Sequence, residues 1–327
     1  MLFGHEKVSF LHLPTPIEFL PRMSEKLGIE LYIKRDDLTN LGMGGNKLRK
    51  LEYLLYDAQQ KGATMLLTLG GAQTNHGRLT AAVAAKYGMR CAILCIDDYP
   101  GEVSANILLD RLMGAEVVLK KSDGRDEGLQ FRELTAQMRA KYEAQGEVVY
   151  EIPIGGSNVI GCLGYFECAQ ELDRQVRGTP LADSRLICGV GSLGTYIGLY
   201  AGLRHEASSL RLTGVAISPF ADAKEARLRE YYDEMQSAFG FDTPFCRDDF
   251  DIETGYTREG YNKPNAAVRQ AIYDMASTEA IILDPCYTGK MFAGVCDMVR
   301  EGKLQKGERV ILLHSGGQPG ISTPFHR

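Results

Sequence analysis

Lys47 closes the run Gly44-Gly45-Asn46-Lys47, between an extended segment and a helix. Downstream lie two more loops rich in glycine and polar side chains, Gly70-Gly71-Ala72-Gln73-Thr74-Asn75-His76 and Gly189-Val190-Gly191-Ser192-Leu193-Gly194-Thr195. The first loop delivers an amine. The other two offer clustered backbone N–H groups at helix N-termini, where anions bind. A buried lysine in apolar surroundings or near other cations has a lowered pKa and forms Schiff bases. Arg49 and Lys50 are close by in sequence. The alternative for Lys47 is a first-turn helix lysine exposed to water. Together, an amine, an anion cradle and polar hooks match what pyridoxal phosphate requires of a protein, which orients the cofactor while the cofactor carries the hard chemistry.

Taken singly, each loop has a plainer reading. Gly189–Thr195 follows a strand and opens a helix, but it lacks the Walker lysine and the dinucleotide glycine spacing. It reads as a phosphate cradle or as a simple strand-to-helix turn. At Gln73-Thr74-Asn75-His76, donors suit a substrate carboxylate, and Asn75 suits the phenolic oxygen of a pyridine ring. Helix capping by Thr74 or Asn75 is the other reading. Asp284-Pro285-Cys286-Tyr287-Thr288-Gly289-Lys290 and His314-Ser315-Gly316-Gly317-Gln318-Pro319-Gly320 also follow predicted strands. Ligands of open α/β sheets bind outside the carboxyl ends of the strands. Convergence of these loops at one crevice is therefore the expectation.

The elements that would position them alternate along the chain. Strands are predicted at 31–34, 65–69, 91–95, 116–119 and 148–150, then at 186–188, 212–217, 280–283 and 310–313. Helices are predicted near 46–61, 75–87, 104–112, 128–145, 161–175, 195–203, 265–276 and 291–301. In the first of these, Leu48, Leu51, Leu54, Leu55 and Ala58 share a face. In the second, Leu79, Ala82, Val83 and Ala85 point inward. This βαβ rhythm argues for parallel sheets with helices on both faces. The stretch 237–261 has weak periodicity and is expected to be a long surface excursion.

Length and composition narrow the class. The 327 residues suit two domains. Net charge is −5, which argues against nucleic-acid and membrane-surface partners. The N-terminus has no basic region followed by an apolar run, and apolar stretches are strand-sized, so neither a signal peptide nor a membrane span is expected. Eight cysteines without a C-x-x-C pair read as reduced, mostly buried thiols of a cytoplasmic protein. The six histidines show no ligand spacing, so no metal site is expected.

Several motifs together resemble the fold-type II pyridoxal-phosphate enzymes, the tryptophan-synthase-β-like group. They are Lys34-Arg35-Asp36-Asp37, the run from Gly44 to Tyr53, Gln73-Thr74-Asn75-His76, Pro153-Ile154-Gly155-Gly156-Ser157-Asn158 and Asp284-Pro285-Cys286-Tyr287. Within that group the chain is similar to the branch of 1-aminocyclopropane-1-carboxylate deaminases and D-cysteine desulfhydrases. The resemblance implies an α/β fold of two open parallel-sheet domains with the cofactor in the cleft between them. A larger, cofactor-binding domain would comprise 1–47 and 162–327, and a smaller one 48–161. It implies a homodimer, and a small amino acid as substrate.

By the same resemblance, Lys47 holds pyridoxal phosphate as a Schiff base. Asn75 meets its ring oxygen, and Gly191, Ser192, Leu193, Gly194 and Thr195 its phosphate. Thr74, Asn75 and His76 contact the substrate carboxylate, while Tyr261 and Tyr287 face the substrate. Either tyrosine has the plainer reading of a half-buried amphipathic side chain. Deaminases of this branch carry glutamate and leucine where this chain has Thr288 and Ser315. A carboxylate beside the ring nitrogen keeps it protonated and makes a stronger electron sink. A hydroxyl makes a weaker one, adequate for expelling a thiolate, since thiol pKa is about 8.5. The expected reaction is β-elimination from D-cysteine or related β-substituted D-alanines such as β-chloro-D-alanine. Cysteate sulfo-lyase and cyclopropane deaminase are the alternatives.

Overall fold

The computed structural model describes residues 1–97, 104–260 and 263–323. Strands β1 (Ile17–Phe19), β2 (Glu30–Lys34), β3 (Met65–Gly70), β4 (Arg90–Asp97), β5 (Glu116–Lys121) and β6 (Val149–Ile152) come first. They are followed by β7 (Arg185–Val190), β8 (Arg211–Ala216), β9 (Asp251–Glu253) and β10 (Arg309–Leu313). The helices are α1 (Pro21–Leu27), α2 (Lys47–Gln60), α3 (Asn75–Lys86), α4 (Ala105–Leu112) and α5 (Glu127–Glu143), then α6 (Val159–Val176), α7 (Gly194–His205), α8 (Asp222–Phe239), α9 (Ala266–Glu279) and α10 (Thr288–Arg300).

Two sheets result. One has six strands in the order β1-β2-β10-β7-β8-β9, and the other four in the order β5-β4-β3-β6. Every pairing is parallel except β1 with β2. Side chains alternate across each sheet, as the two-residue strand period demands. Met65, Leu67 and Leu69 face the side covered by α5, while Leu66 faces α2 and α3. In β10, Val310 and Leu312 pack toward α9 and α10, and Ile311 and Leu313 toward α6 and α7. Helices thus cover both faces of both sheets. Leu48, Leu51, Leu54 and Leu55 of α2 are wholly buried. Each such side chain stabilises the fold by about 1.5–3 kcal/mol, which anchors the helix that begins at Lys47.

Three expectations fail. Residues 280–283 form no strand: Ala280 is the left-handed cap of α9, and β10 already has β2 and β7 on its two sides, leaving no edge to pair with. Of the stretch 237–261, the described residues 237–260 are not a surface excursion. They begin inside α8 and continue through edge strand β9, with Phe239, Phe241, Phe250 and Tyr256 buried. Their few large aromatic anchors do the packing, so no period shows. Finally, Ala85 is exposed and Ala84 buried on α3. The weakly periodic elements β1, α1 and α8 also went unanticipated.

None of the eight cysteines forms a disulfide, and six of them are buried. Among the described residues no helix is long and apolar enough to cross a membrane, and no group of three or more His, Cys, Asp or Glu residues could hold a metal.

Candidate active site

Lys47 is the first residue of α2 and is 7% exposed. The loop before it leaves little room. Gly45 has φ +138°, and a Cβ there would lie 3.1 Å from the Ser315 carbonyl oxygen. Only glycine suits such a backbone at that approach. Asn46 N–H donates to the same carbonyl at 3.0 Å, so the lysine loop is laced to the loop after β10. Lys47 Nζ donates to Asn46 Oδ1 at 3.2 Å and stands 5.9 Å from the centre of the Tyr287 ring. Burial, and then the Lys50 ammonium, hold the Lys47 amine well below the usual lysine pKa, against an opposing pull from Asp284. A lowered pKa enlarges the share of neutral amine, the form that acts as nucleophile or base.

Lys47 opens into a cavity of about 450 Å³, lined from both sheets. The carboxyl end of β3 contributes Gly70, Gly71, Thr74, Asn75 and His76; that of β7 contributes Gly191, Ser192, Leu193 and Thr195. Tyr287 and Ser315 close it from the loops before α10 and after β10. The anticipated convergence therefore occurs.

The cradle after β7 is cramped. A Cβ on Gly191 would sit 2.9 Å from the Tyr287 ring. Leu193 adopts φ +69°, a conformation rare for a branched side chain, at the turn into α7. Thr195 Oγ1 accepts from Asn46 Nδ2 at 3.0 Å. Gly194 lies outside the cavity wall, and its N–H donates to Ser157 Oγ at 3.3 Å. Ser157 Oγ also donates to Ser192 Oγ at 3.0 Å. Lys50 is wholly buried just behind: its Nζ donates to Gly155 O at 3.1 Å and Ser157 Oγ at 3.3 Å. Burial pulls its pKa down to about 8.

Thr74 caps α3, its hydroxyl accepting from Gly77 N at 3.1 Å. Asn75 is half-buried and borders the cavity. His76 is almost fully buried. Thr68 Oγ1 donates to the Ile152 carbonyl at 2.9 Å, so it must accept from His76 Nε2, also at 2.9 Å. The imidazole is thus the Nε2–H tautomer, and its bare Nδ1 is a poor partner for a carboxylate. Burial, with Lys47 and Lys50 adding to it, keeps the ring neutral. The backbone N–H groups at the start of α3 are the better anion donors.

Thr288 stands behind the wall rather than in it. It is 1% exposed, and its hydroxyl accepts from Asp284 N at 2.7 Å and donates to Asp284 Oδ1 at 2.8 Å. Ser315 does line the cavity. Tyr261 lies outside the described residues. Arg49, expected beside Lys47 as a second cation, points the other way into Asp36 and Glu171.

Sequence reading missed three contributors, Asn46, Ser157 and Lys224. Lys50 it placed near Lys47 as a cation, which the structure bears out, but without its contacts to Gly155 and Ser157. Lys224 lines the cavity from the first turn of α8, donating to Ser218 Oγ at 3.1 Å and Pro219 O at 2.8 Å. Its only signal was the unrecognised helix.

The donor set fits pyridoxal phosphate: a depressed lysine amine, an amide beside it, and a glycine-lined helix N-terminus with a buried ammonium behind. The chain belongs to the family described as pyridoxal-phosphate dependent enzyme, whose model matches residues 8–316. It is 38% identical over 314 residues to the D-cysteine desulfhydrase of Yersinia pestis (strain Pestoides F), covering 94% of this chain and 92% of that one. It is 37% identical over 319 residues to the D-cysteine desulfhydrase of Salmonella typhimurium, covering 96% and 95%. A solved ACC deaminase homologue superposes with a TM-score of 0.87 at 33% identity, over 97% of this chain and 94% of the other.

Proposed function

We propose that this protein converts D-cysteine and water into pyruvate, hydrogen sulfide and ammonia, and accepts other β-substituted D-alanines such as β-chloro-D-alanine. The carrying observation is Lys47, a buried amine held well below the lysine pKa and facing the Tyr287 ring at 5.9 Å. Pyridoxal phosphate, when bound, supplies an electron sink for the Cα carbanion and returns the electrons to expel the β-substituent.

The chain does the rest. Asn75 would hold the ring oxygen, and the loop Gly191–Thr195, with Lys50 behind it, the phosphate. Thr74, Asn75 and His76 would bind the substrate carboxylate, the last through its backbone. Lys47, which would hold the cofactor, would as a free amine take the Cα proton. Tyr287, together with Tyr261, would position the substrate and give a proton to the departing sulfur. Ser315 would provide a hydroxyl beside the ring, and Thr288, behind the wall and bonded to Asp284, would bring no carboxylate there, which disfavours cyclopropane opening. Residues 1–47 and 162–327 would form the cofactor-binding domain and 48–161 the smaller one, in a cytoplasmic homodimer.

A second reading rests on Lys224. An ammonium at the cavity wall suits an anionic leaving group, and release of sulfite from cysteate would use it.

The test pairs the purified protein's near-visible spectrum with sulfide release from each cysteine enantiomer. A Schiff-base band at roughly 410–420 nm, lost in Lys47→Ala, with sulfide from D-cysteine alone, is the expected result. A band without sulfide from either enantiomer sinks the desulfhydrase reading and directs attention to cysteate. No band after cofactor addition overturns the role of Lys47.

A further inference from the structure

The loop Ala72–Asn75 is held from below by the first turn of α4. Ser104, the cap of that helix, donates from Oγ to Ala72 O at 2.6 Å. Asn106, one residue into the helix and wholly buried, donates from Nδ2 to Gln73 O at 3.0 Å and to Asn75 Oδ1 at 2.9 Å.

These contacts fix two amides in series. The two ends of a carboxamide have nearly the same shape, so partners decide its orientation. Gln73 O is a backbone carbonyl and can only accept. The Asn106 atom facing it must be nitrogen, and the second proton of that nitrogen faces Asn75. The Asn75 atom on that side must then be oxygen. Its Nδ2 is turned away from α4 toward Gly317, where a Cβ would lie 2.7 Å from that nitrogen, and Asn75 itself borders the cavity. Flipping Asn106 would set its oxygen against two other acceptors.

We propose that Asn106 is a positioning residue of the cofactor site, locking the Asn75 carboxamide so that it meets the cofactor's ring oxygen as a donor. Without Asn106 the Asn75 amide is free to rotate and present Oδ1, an acceptor, to an oxygen that also needs a donor. Asn106 does not line the cavity and acts only through Asn75. The inference rests on the reading of Asn75 as the ring-oxygen contact.

The experiment is a double-mutant cycle read by the dissociation constant of pyridoxal phosphate for the full-length apoprotein, followed through the near-visible band. Variants are Asn106→Leu, Asn75→Ala and the pair together; Asn106→Ala replaces Asn106→Leu if the larger side chain prevents folding. Each single variant is expected to weaken binding by about tenfold, the scale of one hydrogen bond to a charged group. In the Asn75→Ala background, the Asn106 substitution is expected to add almost nothing, because residues acting as one unit are non-additive. An unchanged constant in the Asn106 variant overturns the proposal. So does a full additive loss in the pair, which would mean that Asn106 acts by another route. If Asn75→Ala itself binds normally, the reading of Asn75 fails and the role of Asn106 falls with it, a pattern distinct from the other two.

Discussion

Lys47 and Lys50 leave α2 three residues apart, both with their amines buried, and the Lys50 charge adds to burial in driving the proton from Lys47. One lysine is readied for covalent chemistry by the other, which sits behind the loop that would hold an anion. Arg49, between them in sequence, serves a different structure altogether.

Replacing Lys50 by methionine should therefore weaken cofactor binding by about 10- to 100-fold, the scale of a lost charge-assisted hydrogen bond. The pH dependence follows. Lys50 is pulled down to about 8 by burial, so it is an ammonium below that pH and neutral above it. Cofactor affinity of the wild-type apoprotein should fall as pH climbs past 8, and Lys50→Met should lack that fall. Fluorescence titrations of apoprotein at several pH values decide it.

Tyr287→Phe removes the phenolic hydroxyl but keeps the ring that Lys47 Nζ approaches and that packs on Gly191. Sulfide release from D-cysteine should drop by about 10²- to 10⁴-fold, the range for a lost acid–base group. The near-visible cofactor band should persist. Loss of the band along with activity would instead make Tyr287 a binding residue.

Arg49 is 2% exposed. It donates to Asp36 at 2.8 and 2.9 Å and to Glu171 at 2.9 and 3.0 Å. Burial would raise the Asp36 pKa, but the guanidinium overrides it and holds the group down to about 2. A depressed carboxylate contributes stability that is complete above its unfolded pKa and lost as pH falls through the folded one. Arg49→Met should cost about 3–5 kcal/mol at pH 7, since two buried carboxylates lose their partner. The cost should shrink as pH falls from about 4 toward about 2. Denaturant melts at pH 7 and through that acid window measure it.

Asp110 presents the opposite sign. Buried on α4, with neither carboxylate oxygen bonded to a described residue, it is raised to about 7 by burial despite nearby Arg78. The folded state then holds a proton that the unfolded chain has released, so stability falls as pH rises from about 4 to 7. Asp110→Asn should flatten that slope and be more stable than wild type at pH 8 by on the order of 2–4 kcal/mol, because each tenfold difference in proton affinity is worth about 1.4 kcal/mol. Equal stabilities at pH 5 and 8 relative to wild type would refute the assignment.

Much of this molecule was legible in its residues. Continuous apolar runs marked β3 and β4, which are buried on both faces, and helical spacing marked α2 and α3, whose buried faces keep their period in the chain. The glycine loops announced themselves because only glycine permits their backbone approach, and Lys47 stood out by its place among them. Tertiary structure alone decided the rest. Residues 280–283 look like a strand, yet β10 has no free edge to offer them. Arg49 and Lys50 are adjacent and equally charged in the sequence; helix rotation sends one to Asp36 and Glu171 and the other behind the loop that follows β7. Lys224 reaches the cavity on a helix whose aromatic anchors conceal its period. Which end of the Asn75 amide turns toward α4 depends on a backbone carbonyl and on Asn106, 31 residues away along the chain. Local pattern records which face a residue shares, but partners brought together by folding set direction, charge state and hydrogen-bond polarity.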